Sequence, residues 1–390
     1  MSDRDLAAGA KCLNSRKRPV QETVQSSPVV AEFSPPAQQS QANHFNLLRV
    51  VFASMVILSH AFELTDGNRG REPLTRLFGT ISLGELAVDG FFILSGYLIT
   101  KSWMTQPSWR DFLIKRIARI YPAFIVCSLV CGLLVAPLGS TSSHYFEKLN
   151  VVGFLSGILT LQRPAIPDTF QNLPNPLVNG AMWSISYEFQ CYLLVLVMGV
   201  LGAIKRPRWW LVFFGTATLL FIASRLVHEL PIGTHRISLE QPIFLLAVFF
   251  LAGSGCYVFG SHLKFNLAGL MLAVVGMVFS LSHSRLAAIG TATFGTYILF
   301  CTAFANSSLL DRLRPKNDVS YGIYLYGWPV QQGLLNVIPH LHPSVYCLLT
   351  LLISTGLGHV SWRLIERPAM TKSKWFLMKQ SGERRTPSVA

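Results

Sequence analysis

Residues 45–64 read FNLLRVVFASMVILSHAFEL. As a helix the run is long and apolar enough for one bilayer crossing at about 1.5 Å of rise per residue. It nevertheless holds Arg49 and His60. A charged or titratable group at membrane depth costs about 2.5–3.5 kcal/mol on insertion scales, so such residues are the first functional candidates. The two are 11 residues apart, which at about 100° per residue is three turns plus roughly 20°. They therefore share one face, about 16.5 Å apart along the axis. A guanidinium matches phosphate oxygens in a bidentate fork. An imidazole is the usual base for deprotonating a hydroxyl that attacks an acyl carbon. A pantetheine arm running from a phosphate at Arg49 has a length comparable to the gap. The plainer alternative has Arg49 snorkelling to lipid phosphate and His60 bonding a neighbouring helix.

Runs of the same kind recur along the chain. The expected spans lie near 45–63, 85–104, 119–138, 181–203, 208–226, 241–260, 265–282, 286–305, 319–338 and 343–363. Only 13% of the 390 residues are charged, against 51% hydrophobic, and mean hydropathy is +0.42. A soluble domain usually carries about 25% charged residues. The fold expected is all-α: a polytopic transmembrane helical bundle of about ten spans. The domain reading has a disordered cytosolic tail over 1–44, a membrane domain over 45–370 and a cytosolic tail over 371–390. No cleavable signal precedes the first span, which is expected as an uncleaved anchor. The stretch 149–162 is apolar but short, and reads as re-entrant or interfacial.

The formal net charge is +14. Its Lys and Arg sit in alternate short loops rather than in one stripe, which sets membrane orientation and argues against nucleic acid as a partner. The richer set holds Arg110, Lys115, Arg116 and Arg119, then Lys205, Arg206 and Arg208, then Lys264, then Arg312, Arg314 and Lys316. That side is expected to be cytosolic, with both termini on it, although Arg69, Arg71 and Arg76 dilute the contrast. Of seven Cys, six fall in or beside apolar segments without metal-ligand spacing, so no metal site is expected.

Further candidates sit at span ends. Arg116 and Arg119 are three apart at a cytosolic helix start, neighbours on one face and a plausible dock for phosphate. Glu188 lies inside the span that opens with Trp183 and Ser184, and needs a partner there. It is expected to orient His60 and stabilise its imidazolium, with Asp89 as rival for that role. Ser184 is placed to assist an acceptor. Trp183 reads alternatively as an interfacial aromatic, and Tyr324 either lines the pocket or packs.

Taken together these residues resemble the acyltransferase 3 family of membrane-bound O-acyltransferases. The motifs that carry the resemblance are Arg49 to His60, VDGFFILSGYLI over 88–99, RIARIYP over 116–122, WSISYEF over 183–189, SYGIYLYGWP over 320–329 and IERP over 365–368. Six in order cover about residues 45–370. One departure is Gly90, where a branched apolar residue is commoner. The resemblance implies an acyltransferase, His60 as catalytic base, and Arg49, Arg116, Arg119 and Glu188 as functional positions. It implies acyl-CoA, most simply acetyl-CoA, as a donor substrate, with no permanently bound cofactor. The acceptor implied is a sugar hydroxyl of a cell-surface or secreted glycan or lipid-linked oligosaccharide, at the inner membrane. Direct attack is expected, with a route through an acyl-protein left open. A transporter or flippase of a glycolipid intermediate is the alternative, and paired discontinuous helices in matching halves would mark it.

Overall fold

The computed structural model describes residues 43–164, 166–229, 242–339 and 341–383. The expected N-terminal tail to residue 42, together with His235 and His340, lies outside them. The regular structure described is helical, and one isolated bridge joins Ser140 to Thr169.

The principal helices are α1 (Phe45–Asp66), α2 (Leu83–Thr105), α3 (Trp109–Val130), α4 (Trp183–Val200), α5 (Pro207–Glu229) and α6 (Pro242–Val258). They continue with α7 (Leu267–Leu281), α8 (Thr296–Ala303), α9 (Ser320–Val337), α10 (Pro343–Ser361) and α11 (Arg367–Glu383). A helix stands at each of the ten expected positions. Among the described residues, six stretches are long and apolar enough to cross a membrane: α1, α2, α3 with its continuation to Gly139, α4, most of α5, and α10 continued to Lys379. Three further apolar helices are shorter: α6, α7 and Ala287–Ala303. This is a membrane protein.

Local chemistry sets the helix ends. Gly67, at φ +75°, turns the chain out of α1 while its N–H donates to Glu63 O at 2.9 Å. Ser82 and Glu85 form a capping box on α2. Pro329 lies inside α9, which runs on to Val337 as the expected 319–338 span requires. Five-residue π turns at 131–135, 291–295 and 362–366 prolong α3, lead into α8, and join α10 to α11. The segment expected as a tail from 371 therefore carries helix as far as Glu383.

Glycines set how closely the helices pack. A Cβ at Gly96 on α2 would lie 1.8 Å from Phe250 O, and one at Gly253 on α6 would lie 1.8 Å from Ile93 O. The two backbones are thus in contact, and Thr100 donates across to Ser254 Oγ at 2.8 Å. Gly90 faces the Phe52 ring, which a Cβ would meet at 2.5 Å, so a branched residue has no room here. Helix Val151–Leu159 is too short to span. It leaves Val152 and Leu159 exposed, an apolar face on a short surface helix.

Candidate active site

The first part of the site is a cavity of about 390 Å³ between α1, α2, α3, α4, α9 and the α10–α11 junction. Five cations line it (Arg49, Lys115, Arg116, Arg119 and Lys374) against two carboxylates, Glu188 and Asp318. Ser184 and Tyr324 line it as well. The structure thus gathers six residues singled out from sequence: Arg49, Arg116, Arg119, Ser184, Glu188 and Tyr324.

The cations are not equivalent. Arg49 Nη1 donates to Asp318 Oδ2 at 2.7 Å, and Arg119 Nη2 donates to the same oxygen at 2.5 Å. The other arm of Arg119 donates to Glu366 Oε2 at 3.1 Å. Ser320 donates to Asp318 Oδ1 at 2.6 Å and Ser361 to Glu366 Oε1 at 3.1 Å. Burial alone would raise the Asp318 carboxyl, but Arg119 and Arg49 outweigh it, aided by Ser320, and hold it well below the usual carboxylate range. Glu366, in the IERP run, thus has Arg119 as its cationic partner. Arg116 differs from the other two arginines. Its guanidinium lies over Tyr192 (5.8 Å) and Phe112 (5.7 Å), and its buried Nε has no hydrogen-bond partner among the described residues.

Deeper in the cavity, Glu188 Oε1 accepts from Ser95 Oγ at 2.8 Å and Tyr192 Oη at 2.5 Å. Tyr324 Oη donates to Ala181 O, so the 2.7 Å contact with Ser184 has the serine hydroxyl as donor.

The second part of the site surrounds His60. Its Nδ1 is 3.3 Å from Glu63 Oε2, and its ring meets Trp328 edge-on at 4.7 Å. Glu63 also accepts from Arg69 Nε at 3.0 Å and Asn175 Nδ2 at 3.3 Å. Gln332 reaches the carbonyls of Asn175 (2.6 Å) and Leu177 (2.8 Å), and Trp328 Nε1 donates to Leu177 O at 2.9 Å. These bonds tie the 175–177 loop to α9. The His60 side chain is 15% exposed, and no hydrogen bond to its Nε2 occurs among the described residues. With Nδ1–H donated to the carboxylate, Nε2 presents a lone pair, the tautomer a general base needs.

The partner expected for His60 is therefore corrected. Glu188 is held by Ser95 and Tyr192, and Asp89 is buried on α2 without a hydrogen bond among the described residues. Glu63 takes the place because a residue three further along a helix lies on the same face. The H-x-x-E spacing at 60–63 was the available signal. Asp318 and Lys374 were also missed; neither has a local pattern that marks it. Trp183 does not line the cavity but packs on Tyr187 at 6.0 Å.

His60 and the cavity are adjacent rather than continuous. Tyr324 walls the cavity and Trp328 touches His60; they are four residues apart on α9, a rise of about 6 Å. Phe91 packs edge-on against Tyr324 (6.0 Å) and Phe52 against Phe91 (5.5 Å). A chain of edge-to-face rings thus runs from the cavity wall at Phe91 and Tyr324 to Phe52 on α1.

The acyltransferase domain that defines the acyltransferase 3 family matches residues 43–359. The chain is 31% identical over 344 residues to an O-acetyl transferase of Shigella phage Sf6, covering 85% of this chain and 97% of that protein. It is 25% identical over 385 residues to nodulation protein 10 of Rhizobium leguminosarum bv. viciae, covering 84% and 93%. It is also 25% identical over 351 residues to the peptidoglycan O-acetyltransferase OatA of Listeria monocytogenes, covering 73% of this chain and 51% of that protein. No solved structure matches.

Proposed function

This chain belongs to the acyltransferase 3 family and is an acyltransferase, and from that premise we propose that it moves an acetyl group from acetyl-CoA to a sugar hydroxyl. The acceptor is a cell-surface or secreted glycan, or its lipid-linked precursor. The protein sits in the inner membrane as about ten spans, with both termini cytosolic. The O-acetyl transferase of the phage and the peptidoglycan O-acetyltransferase support the choice of acetyl and of a glycan.

One observation carries the reading: an imidazole with one nitrogen on a carboxylate and the other unengaged lies one helical turn beyond a cation-lined cavity. The nucleotide end of the donor occupies the cavity, and its thioester passes Tyr324 toward His60. The acceptor hydroxyl approaches from the Arg69 side. Nε2 takes the hydroxyl proton as the oxygen attacks the thioester carbonyl carbon. The carbon–sulfur bond then breaks, and the departing thiolate recovers the proton from the imidazolium. Glu63 stabilises the imidazolium meanwhile, without itself being protonated. Ser184 and Tyr324 steer the acyl arm, and Trp183 stays in the wall of the bundle.

Mass spectrometry of surface and secreted glycans, from cells with the protein, without it, and with His60→Ala, tests the reading. One acetyl per acceptor sugar should vanish in the second and third. Full modification with His60→Ala would remove the imidazole from its role.

A further inference from the structure

Arg49 and Arg119 are spoken for. Asp318 binds both guanidinium groups through a single oxygen, and Glu366 holds the remaining arm of Arg119. Two cations face two carboxylates, so this cluster brings little net charge to an incoming anion. The cavity's unbalanced charge lies elsewhere. Arg116 has a buried Nε without a partner among the described residues and no carboxylate within salt-bridge distance there. Lys115, the preceding residue, donates to the neutral Gln106, and Asp111, one turn back on α3, offers it a counter-charge that leaves Arg116 and Lys374 unmatched. Lys374, on α11, lines the same cavity, close enough to Lys115 for their like charges to interact. Holding like charges together costs free energy, which a polyanion arriving between them relieves.

We propose that Lys115, Arg116 and Lys374 form the phosphate dock for the nucleotide end of a CoA thioester, while Arg49 and Arg119 with their carboxylates form its rigid wall. The inference rests on the donor reading above and revises which residues meet the phosphates. It also gives α11 a task. Lys374 lies beyond the stretch that matches the family's domain, which ends at residue 359. The π turn at 362–366 keeps α10 and α11 one continuous helix and delivers Lys374 to the mouth opposite α3.

The test uses the full-length protein purified in detergent. Binding of CoA and of 3′-dephospho-CoA is measured by calorimetry at low and moderate salt, alongside the acetyl-CoA KM and kcat. Lys374→Ala and Lys115→Ala should each weaken CoA binding on the order of tenfold, raising KM more than they lower kcat. Each should shrink the preference for CoA over 3′-dephospho-CoA and flatten the salt dependence. Lys374→Arg, which keeps the charge, should restore most of the affinity and so separates a lost contact from a lost fold. If both alanine variants bind CoA as tightly as the unaltered protein, the dock is wrong and the donor reading survives. If the unaltered protein does not bind CoA at all, the donor reading falls and the dock with it.

Discussion

His60 and Glu63 stand on successive turns of one helix, which makes their coupling testable by single substitutions. His60→Ala should lower kcat roughly 10²–10⁴-fold, the usual contribution of a positioned base. Glu63→Gln should cost on the order of 10²-fold or more in kcat at nearly constant acetyl-CoA KM, because an amide can donate to Nδ1 and select the opposite tautomer. A loss confined to KM would show that Glu63 binds rather than orients. Asp318 carries a second residue-scale consequence. Asp318→Asn leaves two guanidinium groups without their shared anion, at a cost of about 3–5 kcal/mol for breaking a buried pair. Its carboxyl is held below the ordinary value, so the stabilisation is fully present above about pH 4 and is lost only as pH falls well beneath that. The melting-temperature gap between the unaltered protein and Asp318→Asn should therefore stay constant from pH 8 to about pH 5 and close only in stronger acid. Equal melting temperatures of the two proteins at pH 8 would contradict the pairing. Arg49 and His60 were visible in sequence because each is costly inside an apolar run, and Arg116 and Arg119 because they sit three apart at a helix start. Their partners were not, because pairing is settled by tertiary neighbours: Asp318 lies 269 residues from Arg49.

At the scale of elements, the α2–α6 crossing is a pair of backbones in contact at Gly96 and Gly253. The VDGFFILSGYLI run becomes intelligible here. Ser95 reaches Glu188, Gly96 admits α6, and Gly90 admits the Phe52 ring. A side chain at Gly96 or Gly253 has backbone in its way, and backbone cannot rotate aside as a side chain can. Gly253→Leu should overpack the crossing by about 1–3 kcal/mol or more and reduce the yield of monodisperse protein. Gly356→Ala on α10 meets nothing within 4 Å and should be neutral or stabilising by up to about 1 kcal/mol. Equal thermal stability of the two variants would refute the crossing. That a helix stands at each of the ten expected stretches was readable from hydropathy, since each stretch is an apolar run. The π turns were not, because they depend on the neighbours that re-satisfy displaced backbone bonds.

For the whole molecule, polarity runs from the cation-lined cavity to the loop side that holds Arg69 and Asn175. A reporter fused after Ala390 should read cytosolic, on the side of Lys205 and Arg206, and one inserted at 141–143 should read external. The opposite pattern would invert the donor and acceptor faces. Phe52, Phe91 and Tyr324 pack edge to face at the cavity wall, and Tyr324 lies one helical turn from the Trp328 that touches His60. An activated ester parked within reach of a base invites water as a counterfeit acceptor, and every such event would squander a thioester. With the donor and acceptor proposed above, a ring between thioester and imidazole would spare the resting protein that loss. Release of free thiol from acetyl-CoA should stay near background without acceptor and rise once Tyr324→Ala thins the screen; leakage at the same rate with or without that ring would deny it the part.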